Sequence, residues 1–229
     1  MPRPIKVAVL LAGCGHLDGA EIREAVLSLL ALDQQGAEAQ CLALDEPQHH
    51  VVDHFTGQPV EGASRNTFTE SARIARGRLN PLSSARMEDY DALVMPGGYG
   101  VAKNHCSFAF KGPEADVHPL VASFLQAFFE AGKPVAAICI APALVVLTLA
   151  QAGEHPVLTI GNDPGCSAAL RKLGARPQDR STSREVVVDE TLNLITTPAY
   201  MFDEATLSDV WIGIEGAVKE LLRRVKAKA

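Results

Sequence analysis

The chain has 229 residues, of which 47% are hydrophobic and 21% charged, and its formal net charge is −6. That is enough chain for a substantial core in one domain spanning 1–229. The acidic balance argues against nucleic acid as a main partner, because phosphate binding needs concentrated positive surface.

No apolar run reaches membrane-spanning length, and residues 7–12 are too short and wrongly followed for a signal peptide. No membrane partner is therefore expected. The five cysteines, at 14, 41, 106, 139 and 166, are odd in number and lack CxxC spacing, which points to a reducing, cytoplasmic setting. The basic stretch 219–228 reads as the solvated last turns of a helix.

In chain order, 5–12 is an apolar strand ending at Gly13-Cys14-Gly15. Residues 20–32 then place Ile22, Ala25, Val26, Leu29 and Leu30 on one helical stripe. A second strand covers 38–44. Segment 48–81 is the least regular, with a weak helix at 67–76, and reads as an insertion over the sheet edge. A strand at 91–95 breaks at Pro96-Gly97-Gly98-Tyr99-Gly100, and a helix at 121–129 stops at Gly132.

Residues 135–138 are apolar without alternation, as in a central strand covered on both faces, and the helix after Cys139 ends near Gly153. A strand at 157–160, a helix at 168–173, a hairpin of 185–188 with 192–196 and a closing helix at 210–225 complete the pattern. Alternating strands and helices predict an α/β fold, a three-layer α/β/α sandwich with a largely parallel sheet.

In such a sheet the loops after the strands open on one edge, where ligands bind at a switch in strand order. Cys139 lies there, at a strand-to-helix junction that resembles a nucleophile elbow. A helix N-terminus favours the thiolate, so a lowered thiol pKa is expected. The alternative is a buried structural cysteine. Gly97 and Gly98 let backbone N–H groups approach an oxyanion, with the Ile140 N–H as second donor, although a double glycine also suits a plain turn.

Glu21 sits in the first turn of its helix, where it either complements the dipole or leans towards Cys139 as a proton carrier. No histidine follows Cys139 closely; His16, His105 and His118 precede it, and His16 is the best placed. His49, His50 and His54 read as solvated loop residues, so no metal is expected. The Gly-x-Gly-x-x-Gly spacing fails at Asp18, which excludes a dinucleotide fingerprint.

Four ordered motifs, Leu11 to Ile22, Met95 to Asn104, Cys139-Ile-Ala-Pro142 and Thr196 to Met201, together resemble the ElbB family of the ThiJ/PfpI superfamily. The resemblance implies a flavodoxin-like, class I glutamine amidotransferase-like domain, with Cys139 as the elbow cysteine and Glu21 as the superfamily's glutamate. It further implies Gly97, Gly98, Ile140, Asn104 and Cys14 around oxyanion and substrate, and a homodimer. Family members are linked to isoprenoid biosynthesis and described as cofactor-independent glyoxalases.

A small 2-oxoaldehyde, glyoxal or methylglyoxal, is thus the expected substrate, with no cofactor. Many superfamily members place a histidine directly after the cysteine; here Ile140 stands there, which argues against glutamine hydrolysis. The alternatives are a cysteine-based redox sensor or interaction protein, with Cys14 as resolving thiol, and a small amide or ester hydrolase.

Overall fold

Eleven strands and seven helices alternate along residues 3–228, the part of the chain that the structure, a computed structural model, describes. The strands are β1 (Lys6–Leu11), β2 (Glu38–Ala43), β3 (Val52–Asp53), β4 (Gln58–Pro59), β5 (Leu79–Pro81), β6 (Ala92–Met95), β7 (Val135–Ile138), β8 (Val157–Leu158), β9 (Arg176–Pro177), β10 (Val187–Asp189) and β11 (Leu194–Thr197). The helices are α1 (Ile22–Gln34), α2 (Thr67–Ile74), α3 (Phe108–Lys111), α4 (Pro119–Glu130), α5 (Ala141–Ala150), α6 (Pro164–Lys172) and α7 (Leu207–Lys228).

Seven strands form one sheet in the order β10-β11-β7-β6-β1-β2-β5. All its pairs are parallel except β10 with β11. Alternate side chains of the central strands feed two cores. Val7, Val9, Leu11, Ala136 and Ile138 pack with α1 and α7, whereas Ala8, Leu10, Leu93, Val135 and Ala137 pack with α4 and α5. Helices cover both faces of a mostly parallel sheet, the flavodoxin-like, class I glutamine amidotransferase-like arrangement.

The chain runs outward from β1 to β2 and later returns to β6 on the other side of β1. The order therefore switches between β1 and β6, and the loops after these strands open a crevice there.

Several expectations from sequence are corrected. The segment 48–81 is more than an insertion: it holds the β3–β4 hairpin and α2, and its end, β5, pairs with β2 as the sheet's edge. The strand after α5 shortens to β8 and pairs with β9 outside the main sheet. Pro177 in β9 has no N–H to give a central ladder. α6 starts earlier than expected because Asp163 caps it, its side chain accepting the Cys166 N–H at 2.6 Å.

The largest correction concerns α1. Ile22, Val26 and Leu30 point outward, whereas Glu24, Ala25, Ser28, Ala31 and Leu32 are buried. Small side chains on the inner face let α1 settle against α7 and the sheet.

Two glycine loops close the crevice by backbone contact. The Glu21 N–H donates to the Gly97 carbonyl at 2.9 Å, Tyr99 N–H to His16 at 2.7 Å and Gly100 N–H to Gly19 at 2.8 Å. Gly98 has φ +98°, and a Cβ there would lie 2.4 Å from the Glu21 nitrogen. Gly57, with φ +73°, has open space around its Cβ position. Gly98→Ala is accordingly expected to cost at least about 3 kcal/mol and Gly57→Ala only about 1 kcal/mol. Urea unfolding of both variants checks this; equal losses would show that the close approach is not a constraint.

Candidate functional site

Cys139 follows the last residue of β7 and adopts φ +60°, left-handed backbone that costs a non-glycine residue about 1–2 kcal/mol. Its N–H donates to the Thr197 carbonyl at 3.0 Å, which holds the turn against the end of β11. This is elbow geometry, as the junction in the sequence implied. Unlike an exposed elbow residue, however, Cys139 is only 8% accessible.

The carboxylate beside Cys139 is Glu24, not Glu21. Glu24 has no exposed surface. One of its oxygens, Oε2, accepts the Gly97 N–H at 2.8 Å, and Oε1 accepts the Tyr200 N–H at 3.2 Å. The cysteine thiol supplies a third contact. Three motifs thus converge on Glu24: the β6 loop, the elbow and the turn after β11.

Glu21 is instead the N-cap of α1, and its Oε2 accepts the Glu24 N–H at 2.6 Å. Of the two readings open for Glu21, the structure places it at the helix terminus, one step behind the carboxylate that meets the sulfur.

Burial dominates the electrostatics. It raises the Glu24 carboxyl to about 8, and the Glu21 charge adds to the effect while the Tyr200 and Gly97 N–H groups oppose it. Burial also pushes the Cys139 thiol well above its ordinary value, and the Glu24 charge adds to this. The expected lowering of the thiol pKa is therefore overturned. Backbone groups of Gly98 and Ile140 pull towards the thiolate, as a helix start should, but they lose to desolvation.

Asn104 is committed to the loops. Its amide donates to the Ala12 and Asp18 carbonyls at 3.0 Å each, and its Oδ1 accepts the His49 N–H at 2.9 Å. Cys14 lies among the charges of Glu70, Arg73, Asp18 and Arg65, whereas Cys139 faces Glu24. All five cysteines are free thiols.

His16 stands exposed on the rim, its ring 5.1 Å from that of His54. Arg23 was missed from sequence, and Tyr200, inside the Thr196 to Met201 motif, was given no role of its own: Arg23 donates to the Tyr200 hydroxyl at 3.1 Å and lies 5.7 Å from its ring centroid. A stacked cation and phenol at one turn of α1 have no signature in spacing. Glu24 did have one, as a carboxylate in helical register with Ser28 and Leu32.

The electrostatics set an expected pH profile. Alkylation of Cys139 by iodoacetamide should still be rising at pH 9, and Glu24→Gln, by removing a neighbouring negative charge, should move the inflexion downward. A wild-type inflexion below pH 8 would contradict this account of the pair.

Residues 6–203 match the model of the DJ-1/PfpI family. A human relative, glutamine amidotransferase-like class 1 domain-containing protein 3, mitochondrial, is 41% identical over 97% of this chain and 84% of its own. The zebrafish ES1 protein, mitochondrial, is 31% identical over 95% of this chain and 85% of its own. Among solved structures, an isoprenoid biosynthesis protein with an amidotransferase-like domain from Ehrlichia chaffeensis is 38% identical with a TM-score of 0.88, covering 96% of this chain and 98% of that one. Glyoxalase III from Candida albicans, 14% identical with a TM-score of 0.61 over 96% of each chain, shares the fold. Among the described residues no helix is long and apolar enough to cross a membrane. By sequence and by fold, the chain belongs to the DJ-1/PfpI family.

Proposed function

We propose that the chain is a cofactor-independent glyoxalase of the ElbB branch, converting glyoxal to glycolate, or methylglyoxal to lactate, on Cys139. The reading rests on one observation: a cysteine on a strained elbow shares a dry contact with a buried carboxylate whose pKa lies near 8.

In the first step the sulfur adds to the aldehyde carbon while its proton passes to the carboxylate of the ionised fraction of Glu24. A stored thiolate is unnecessary, because the base stands beside the thiol. The hemithioacetal oxygen develops its charge against the Gly98 and Ile140 N–H groups and takes the proton back from Glu24.

Glu24 next removes the hydrogen from the hemithioacetal carbon, and the electron pair moves into the neighbouring carbonyl to give an enediolate. Glu24 returns that proton to the second carbon, and the hemithioacetal hydroxyl passes its proton to the neighbouring oxygen, which leaves a 2-hydroxy thioester. Water then cleaves the carbon–sulfur bond, releases the hydroxy acid and restores the thiol. The sum is addition of one water and an internal redox exchange, with no external oxidant or reductant.

Support comes from the four motifs, from the 38% identity to a protein named for isoprenoid biosynthesis and from a glyoxalase III among the fold neighbours. Ile140 after the nucleophile weighs against glutamine hydrolysis. A peroxide sensor is less well served, since burial and the Glu24 charge disfavour the free thiolate and Cys14 faces other partners.

Hydroxy acid formation from glyoxal and methylglyoxal, without glutathione, tests the reading. Cys139→Ala is expected to show no turnover, and Glu24→Gln to lose about 10²–10⁴-fold in kcat. Glu21→Gln should retain more activity and mainly lose about 1 kcal/mol of stability through the weaker cap. Wild-type turnover no greater than a protein blank would sink the proposal; a larger loss in Glu21→Gln than in Glu24→Gln would reassign the proton carrier.

A further inference from the structure

Ala199 is a second strained residue beside the reacting pair, and no step of the reaction uses it. It has no exposed surface and adopts φ +45°, left-handed backbone that a residue with a Cβ seldom takes. Strain of this kind persists only where the surroundings hold it in place.

The turn gains position from it. Pro198 opens the turn with φ −65°, and the Met201 and Phe202 N–H groups close it onto the Pro198 and Ala199 carbonyls at 2.9 and 3.3 Å. With Ala199 left-handed, the Tyr200 N–H points inward and donates to Glu24 Oε1 at 3.2 Å. Two residues before Ala199, the Thr197 carbonyl accepts the Cys139 N–H at 3.0 Å. One turn therefore holds both the elbow and the carboxylate.

The outer end of Tyr200 is gripped from α1. Arg23 Nη1 donates to the Tyr200 hydroxyl at 3.1 Å, and the guanidinium lies 5.7 Å from the ring centroid. A charged donor on the phenol oxygen and a cation beside the ring both favour this pairing. Arg23 and Glu24 are consecutive residues at the start of one helix. The same rigid element thus takes hold of Tyr200 twice, at its hydroxyl through Arg23 and at its backbone through Glu24.

We infer that Arg23 is a positioning residue: by gripping the Tyr200 side chain it keeps the Ala199 turn in its strained form and the Tyr200 N–H on Glu24. The other groups facing Glu24 are the Gly97 N–H, the Cys139 thiol and the Glu21 carboxylate, and none of these contacts runs through Arg23. The Tyr200 N–H favours the charged form of Glu24, so releasing the turn pushes that carboxyl further up. The use of Glu24 as a base rests on the glyoxalase reading, whereas its titration does not.

Carbon-13 NMR of the full chain, labelled at the glutamate side-chain carboxyl, tests this without any turnover. The Glu24 signal is identified by its absence in Glu24→Gln, and its wild-type inflexion is expected near 8. Arg23→Ala should move that inflexion up by about half a pH unit. Tyr200→Phe, which removes the accepting oxygen and changes no charge, should move it the same way. Arg86→Ala, at an exposed arginine elsewhere, should leave it in place. Adding Ala199→Gly to Arg23→Ala should bring it back, because glycine holds a left-handed turn without a grip. Circular dichroism confirms the folding of each variant.

An unmoved inflexion in Arg23→Ala or in Tyr200→Phe overturns the inference, and so does a failure of Ala199→Gly to restore it, since a pure charge effect of Arg23 would not be rescued by glycine. A wild-type inflexion in the ordinary carboxylate range overturns it as well. Absence of aldehyde turnover with these shifts present would remove the glyoxalase reading and leave the positioning role standing.

Discussion

The site depends on the absence of a side chain at Gly97. A Cβ built there would lie 2.5 Å from the Cys139 Cβ, 2.9 Å from Glu24 Oε2 and 2.9 Å from the Ile138 carbonyl. The loop after β6, the elbow after β7 and the first turn of α1 therefore press together with no room for even a methyl group. That closeness excludes water from the carboxylate. It also brings the Gly97 N–H to Glu24 at 2.8 Å, so the contact that desolvates the acid supplies one of its few hydrogen bonds.

Desolvation then sets the chemistry. The Glu24 charge raises Cys139, whereas the thiol hydrogen bond lowers Glu24 slightly against the larger effect of burial. Such a pair titrates as a unit and retains a proton at neutral pH. At neutral pH both groups are thus mainly protonated, and in the proposed reaction the ionised fraction of Glu24 takes the thiol proton as the sulfur attacks. The same burial links pH to folding. With its folded pKa near 8 against 4.5 in the open chain, Glu24 contributes stability that is fully present below about pH 4.5 and is lost as pH rises through about 8.

The central strands were legible in sequence because they are covered on both faces, and continuous apolar runs such as 135–138 then have one reading. Cys139 was legible for the same reason, since the run stops at it. Glu24 was not, because the apolar stripe of Ile22, Ala25, Val26, Leu29 and Leu30 is weighted to Ile22, Val26 and Leu30, which point outward, while Ala25 lies on the buried face. The inner face uses Ala25, Ser28 and Ala31, small residues that a hydrophobicity pattern ranks low but close packing favours. Once the stripe was misphased, the glutamate on the buried face was passed over for Glu21. The thiol pKa failed differently: the helix-start and N–H effects were read with the correct sign, but burial depth, the larger effect, is a tertiary property.

Motif membership also says less about role than about place. Gly97, Asn104 and Cys14 all belong to loops at the same sheet edge, yet Gly97 shapes the reacting pair, Asn104 ties residues 12, 18 and 49 together, and Cys14 looks towards α2. Asn104 thereby holds the 13–19 loop over the crevice, and that loop stacks its backbone on Gly98 and Gly100. On the opposite rim Tyr200 links the interior to the surface: its N–H reaches Glu24, and its hydroxyl accepts from Arg23. In the proposed function, a cysteine only 8% exposed between these walls favours a small, planar carbonyl compound over a branched amide. In that proposed function the walls that desolvate Glu24 also restrict the substrate, so one packing constraint would govern both the acidity of the base and the size of what it acts on.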